Sequence, residues 1–250
     1  PAAIPNGVVF ILGTQRLDLA NLKPAVREQA EKSERQVLMG PLGREEVARM
    51  ADALGLPAEI PRLDLINLSH GHPLATRYLI QALLHADEAG RKHLLSGGMP
   101  FDGDIETVYS AAWREIASDV DAMDVLGYIV RAEAPVDLRL LATMVKESAI
   151  ERALIVARHL LRSSSQGWSV FHNSFRLFVI AQPRTRLGSV DTEYSQRVYR
   201  DLAQLAKSAP PESAQYWLEL RYRARAGDGA DVLALAMPAR FRQQLADGCS

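Results

Sequence analysis

The chain has 250 residues, 48% of them hydrophobic and 24% charged, with a net charge of −1. That balance fits a globular protein of one to three domains and argues against a general nucleic-acid or membrane-surface binder. Cys249 is the sole cysteine, which excludes an intrachain disulfide framework and fits a reducing, cytoplasmic setting; no apolar run reaches the ~18 residues of a membrane span.

Val8 to Leu12 is a continuous apolar run that ends in Gly13-Thr14-Gln15-Arg16. A strand apolar on both faces belongs inside a parallel sheet, and ligands of such sheets sit beyond the carboxyl ends of the strands, where Thr14 and Arg16 fall. No second run of this kind follows, so residues 1–42 read as the remnant of a larger core cut upstream of Pro1. Leu19 to Glu34 is polar, helix or loop, with Pro24 suited to a first turn; Gln36 to Leu42 reads as extended. Gly43 to Leu54 is a helix with an acidic first turn and Val47, Met50, Ala51 and Leu54 on one face. A short helix runs from Pro61 or Arg62 to Leu68.

Asn67 to Leu84 is the most informative stretch. His72 precedes a proline and is pushed away from helical backbone, while Pro73 can open a helix at no cost in hydrogen bonds. Leu74, Ala75, Tyr78, Leu79, Ala82 and Leu83 then form a wide apolar stripe. A stiff Gly71-His72-Pro73 turn is thus joined to a strongly amphipathic helix. Gly97 to Gly103 reads as a turn-rich loop, and Ile105 to Ile116 as a helix with Ile105, Val108, Tyr109, Ala112 and Ile116 inward. Residues 43–117 form a helical bundle.

Val120 to Arg131, Leu138 to Val145 and Ser148 to Leu161 are three helices; a β-hairpin around Ser163 to Gly167 and a helix from Asn173 to Ala181 follow. Three helices and a hairpin is the winged-helix order, here over residues 118–183. Its third helix is expected to show Arg152, Arg158, His159 and Arg162 to solvent, which raises DNA binding. However, Glu115 to Arg184 carries equal numbers of basic and acidic residues, and phosphate contacts supply most DNA affinity. A polar linker over Arg184 to Ser189 leads to Asp191–Ser208, Ser213–Ala226, Ala230–Ala236 and Ala239–Ala246, helices that read as the start of a repeat array over residues 190–250.

There is no G-x-x-x-x-G-K-[ST], G-x-G-x-x-G or G-x-S-x-G, and no Ser/His/Asp set with a reason to converge, so no catalytic residue is assigned. His70 and His72 lack a third clustered ligand, so no metal site is assigned either.

The order of a strand ending in Thr14-Gln15-Arg16, a bundle carrying Gly71-His72-Pro73-Leu74, and a winged helix ending in Val170-Phe171-His172-Asn173 resembles the C-terminal part of a STAND-class P-loop ATPase, the signalling group that includes NB-ARC and NACHT proteins. The resemblance spans essentially the whole chain and rests on short motifs in a fixed order. It implies a mainly α fold: a core-strand remnant, a helical domain, a winged helix with a β-hairpin wing, and TPR-like helical repeats. It also implies a nucleotide site for ADP or ATP. Thr14 and Arg16 match the sensor-1 end that reads the terminal phosphate. Gly71, His72, Pro73 and Leu74 match the Gly-x-Pro-Leu motif, whose proline packs on the adenosine. His172 matches the histidine of the Met-His-Asp motif, which contacts the β-phosphate of ADP. Phe171 and Asn173 replace that motif's methionine and aspartate. The P-loop and Walker B residues, and with them Mg²⁺, have no match. The implied function is an ADP-off, ATP-on signalling switch that senses a ligand or protein through its repeats and oligomerises when active, the parent being a slow ATPase and this chain alone no enzyme. The alternative is a winged-helix DNA-binding regulator with a helical interaction arm. Under the first reading Pro73 and His172 line one cavity.

Overall fold

A computed structural model describes residues 23–37, 39–99, 101–186, 189–210, 215–246 and 248. The expected Val8–Leu12 strand, with Thr14 and Arg16, lies outside the described residues. Within them the chain is mainly α-helical, with two antiparallel strand pairs. None of the described helices is long and apolar enough to cross a membrane. The chain divides into two units, Pro1–Pro41 and Leu42–Ser250. In the first, α1 (Pro24–Ala30) opens on its proline, and the Gln36 amide donates back to the Ala30 carbonyl.

The second unit begins with α2 (Arg44–Ala53), α3 (Arg62–Ser69), α4 (Pro73–His85), α5 (Glu88–His93) and α6 (Ile105–Ile116). Val47 and Ala51 of α2 are wholly buried, as its stripe requires. The short α5 is absent from the sequence reading. Asp87 caps it, accepting from the Gly90 N–H, and it passes into a π turn over Leu94–Gly98 that breaks at Gly97. In α6 all five residues expected to face inward are buried, and Asp104 caps it by accepting from the Glu106 N–H.

Next come α7 (Val120–Arg131), α8 (Leu138–Leu141), α9 (Glu147–Ala157), the hairpin β1 (Leu161–Ser164) and β2 (Gly167–Val170), and α10 (Asn173–Ala181). Val136, between α7 and α8, exchanges two backbone hydrogen bonds with Trp168 at 2.7 and 2.9 Å, so the hairpin lies on the α7–α8 connection. Gly167 makes room for this contact: a Cβ there would stand 2.3 Å from the Val136 carbonyl oxygen. Two helices end earlier than expected. α8 stops at Leu141 because Thr143 turns back, its N–H and its hydroxyl both donating to the Leu140 carbonyl. α9 stops at Ala157, and Arg158–Leu160 tighten into a 3-10 turn. The outer face of α9 therefore shows Glu147, Glu151 and Ile155, while Arg152 leans on Glu115. His159, expected to face solvent, is half-buried, with its ring against Tyr78 and one side on a groove beside α4.

The strand pair β3 (Thr185–Arg186) and β4 (Ser189–Val190) occupies the expected linker. Arg184 is buried and donates to Asp124 and to the Tyr194 hydroxyl, which ties this segment to α7. Then follow α11 (Tyr194–Ser208), a 3-10 turn at Tyr216–Leu218, α12 (Glu219–Ala226), α13 (Gly229–Leu235) and α14 (Pro238–Ala246). α11 packs along α12 and against α7. At the second contact Tyr128 donates to Asp201, and buried Arg131 donates to the Ser195 hydroxyl beneath the Tyr194 ring. One hydrophobic core continues from Val47 in α2 to Tyr222 in α12.

Candidate functional site

The Gly-His-Pro turn is built as the sequence suggests, and two side chains it did not single out hold it. His70 ends α3 in the left-handed conformation with φ 50°, and Gly71 follows at φ 68°. Glycine takes that geometry freely, and two such residues in succession reverse the chain within one turn. The Gly71 carbonyl accepts from the Leu42 N–H at 2.7 Å, and the His72 N–H donates to the Ser69 carbonyl at 2.8 Å. Beneath the turn, Ser69 and Thr76 are wholly buried and share a 2.8 Å hydroxyl pair. The Leu65 carbonyl can also accept from Ser69 and the His72 carbonyl from Thr76, so the two hydroxyl hydrogens are shared among three contacts and two are made at a time.

His72 caps α4: its Nδ1 accepts from the Ala75 N–H at 3.3 Å. His172 caps α10 in the same way, its Nδ1 accepting from the Ser174 N–H at 3.2 Å. A nitrogen that accepts carries no proton, so each neutral ring holds its hydrogen on Nε2. The two ring edges that remain are donors. The histidines are also neighbours: burial lowers the pKa of His72, and the charge of His172 lowers it further. The ring of Phe101 lies 5.3 Å from His72 and 5.5 Å from His70.

A chain of hydroxyls fixes His172 from behind. Its Nδ1 meets Ser174 Oγ at 2.7 Å, Ser174 meets the Tyr109 hydroxyl at 2.7 Å, and Tyr109 meets the Tyr78 hydroxyl at 3.3 Å. Because Nδ1 accepts, the hydrogens can run one way, from Tyr78 to His172. Tyr78 and Tyr109 are fully buried. Burial raises the pKa of both phenols, so they stay protonated donors. Ser174 is the residue that sequence reasoning missed here; its one local signal is a hydroxyl two places after a capping histidine.

The arrangement presents the N-termini of α4 and α10 with an Nε2–H at each. Helix N-termini carry partial positive charge and unpaired N–H groups, so the pair suits an anion. Pro73 is exposed, and Leu74 is half-buried against the core. A polar groove beside these residues is lined by Arg77 and Phe171 but by neither Pro73 nor His172. Among the described residues, no group of three or more His, Cys, Asp or Glu side chains could hold a metal. No family model matches the chain, and neither a curated protein nor a solved structure does.

Proposed function

We propose that this chain is the C-terminal part of a nucleotide-controlled signalling switch of the STAND class, in which ADP bridges the helical bundle and the module after it. The observation that carries the reading is the pair of capping histidines, His72 and His172, whose free Nε2–H groups stand at neighbouring helix N-termini. In this reading His172 donates to the β-phosphate, Pro73 offers its exposed ring to the adenosine, and Gly71 lets backbone come close. Thr14 and Arg16 would read the terminal phosphate, and Mg²⁺ would come with an upstream P-loop. The order α7, α8, α9, hairpin, with the Val136–Trp168 bridge, supports a winged helix. The successive pairs from α11 to α14 support helical repeats. α13 and α14 bury no residue and leave Leu233, Phe241 and Leu245 exposed, a face that a protein ligand or a second copy would cover. The competing DNA-binding reading is weakened by the acidic outer face of α9.

The test is ADP binding by the longest natural chain that contains these residues, compared with His172→Asp. Aspartate is a good N-cap, so the variant should fold as stably as the parent. It removes the Nε2–H and places a carboxylate against the phosphate, which should weaken ADP by about thirtyfold or more. Equal ADP affinity in the two proteins, or no binding at all, would sink the proposal.

A further inference from the structure

We propose that the groove between α4 and the turn leaving α9 is a second anion site, one that takes a small, multiply charged phosphate compound of the pyrophosphate class. Arg77, Gln81 and His85 enter it from one face of α4; Arg158 and His159 come from the 3-10 turn, and Arg162 from β1. No carboxylate lines it. The cavity measures about 170 Å³, below the roughly 300–1,000 Å³ of ordinary small-molecule pockets, so it fits a compact ion and not a nucleotide.

Three observations point to a ligand. First, among the described residues Arg77, Arg158 and Arg162 make no ion pair and no hydrogen bond, whereas Arg62, Arg184 and Arg223 each pair with a carboxylate. Second, two guanidinium groups are positioned but unused. Arg77 lies 3.9 Å above the Phe171 ring and Arg158 5.8 Å above the Trp168 ring. Stacking holds the plane and leaves the N–H edges for an oxyanion. Third, the charges repel one another. After burial, Arg162 is the main influence lowering the pKa of Arg77, and Arg158 acts in the same way on His85. A bound anion removes that repulsion. Duplex DNA is the poorer occupant, because the exposed face of α9 beside these cations is acidic. The site is separate from the histidine pair: His172 is extended, so its side chain points away from that of Phe171, which lines the groove.

Pyrophosphate titrated calorimetrically into the protein at constant ionic strength should bind one equivalent. The double variant Arg77→Gln/Arg162→Gln should weaken it by about thirtyfold or more. Arg139→Gln, at an exposed arginine elsewhere, and His172→Asp should leave it within about twofold. Absence of binding, equal weakening by Arg139→Gln, loss in His172→Asp with the arginine variants unaffected, or displacement by duplex DNA at comparable concentration would each overturn the site. If circular dichroism shows the double variant unfolded, Arg162→Gln alone decides; this arginine is exposed and unpaired, and its loss should cost about tenfold.

Discussion

Acid should destabilise this protein through His159. Its imidazole stands edge-on to the Tyr78 ring at 6.2 Å and has no hydrogen-bond partner among the described residues. Burial, and then the neighbouring His85, lower its pKa from 6.5 to about 4. The folded chain therefore keeps the ring neutral over a range in which the unfolded chain protonates it. With the folded pKa below the unfolded one, the stabilisation is complete above about pH 6.5 and drains away as pH falls towards 4. The whole effect amounts to roughly 3 kcal/mol, of which about 2 kcal/mol is gone by pH 5. Urea unfolding followed by tryptophan fluorescence, from about pH 7.5 to about 4.5 at fixed ionic strength, reads it directly. His159→Gln supplies the comparison. Glutamine does not titrate, so the variant loses the ring contact equally at every pH. His72 and His85 are also lowered by burial, so a shallower slope of the same sign should persist. The gap between the two profiles should close by about 2 kcal/mol on going to pH 5. Parallel profiles would refute the reasoning, because they would show the folded imidazole taking up its proton as readily as the unfolded one.

Three substitutions test other parts of the structure. Gly127→Ala puts a Cβ 2.0 Å from the Tyr194 hydroxyl and should cost about 1–3 kcal/mol; Tyr194, pushed up to about 12 by burial, should then titrate nearer its ordinary 10 in an ultraviolet pH titration. Glu219 is buried between Arg223 and Arg240, each at 3.1 Å, and Glu219→Gln should cost about 3 kcal/mol. Hydrogen exchange should then quicken in α13 and α14 and stay slow in α2 to α4. Ser69→Ala removes the buried hydroxyl pair with Thr76 and should cost about 1 kcal/mol in urea unfolding, with faster exchange of the Leu42 amide that bonds Gly71.

What the sequence made legible follows from how locally each element is specified. The bounds of α6 and α7 were readable because Asp104 and Asp119 cap them and an unbroken apolar stripe follows. α5 was not, since its six residues bury nothing and so leave no stripe. Periodicity carried α9 too far. It registers apolar spacing but not the tightening at Arg158 that turns His159 inward, and this placed four basic residues on one outward face that they do not share. Arg184 looked like linker because its burial depends on Asp124, sixty residues earlier in the chain. Of the site, the Gly71-His72-Pro73 turn and His172 could be singled out. Their supports could not: the Tyr109–Ser174 bond joins residues 65 positions apart and leaves no local pattern.

The same capping geometry explains why His72 and His172 invite two readings and why experiment can separate them. A histidine that caps a helix has a sufficient structural reason to exist, and one ring nitrogen is enough for that task. Capping then fixes the tautomer and aims the second nitrogen, as a donor, out of the N-terminus it serves. At a single helix this would be incidental. Here two helices from different parts of the core bring two such donors close enough for their charges to interact, and buried hydroxyls hold one of them from behind. A purely structural pair gains nothing from that proximity, since the charge of His172 makes His72 harder to protonate. A bound phosphate adds an opposite charge that outweighs this repulsion. It should raise the basicity of His72, whereas in a purely structural pair His72 would titrate unchanged when ADP is added.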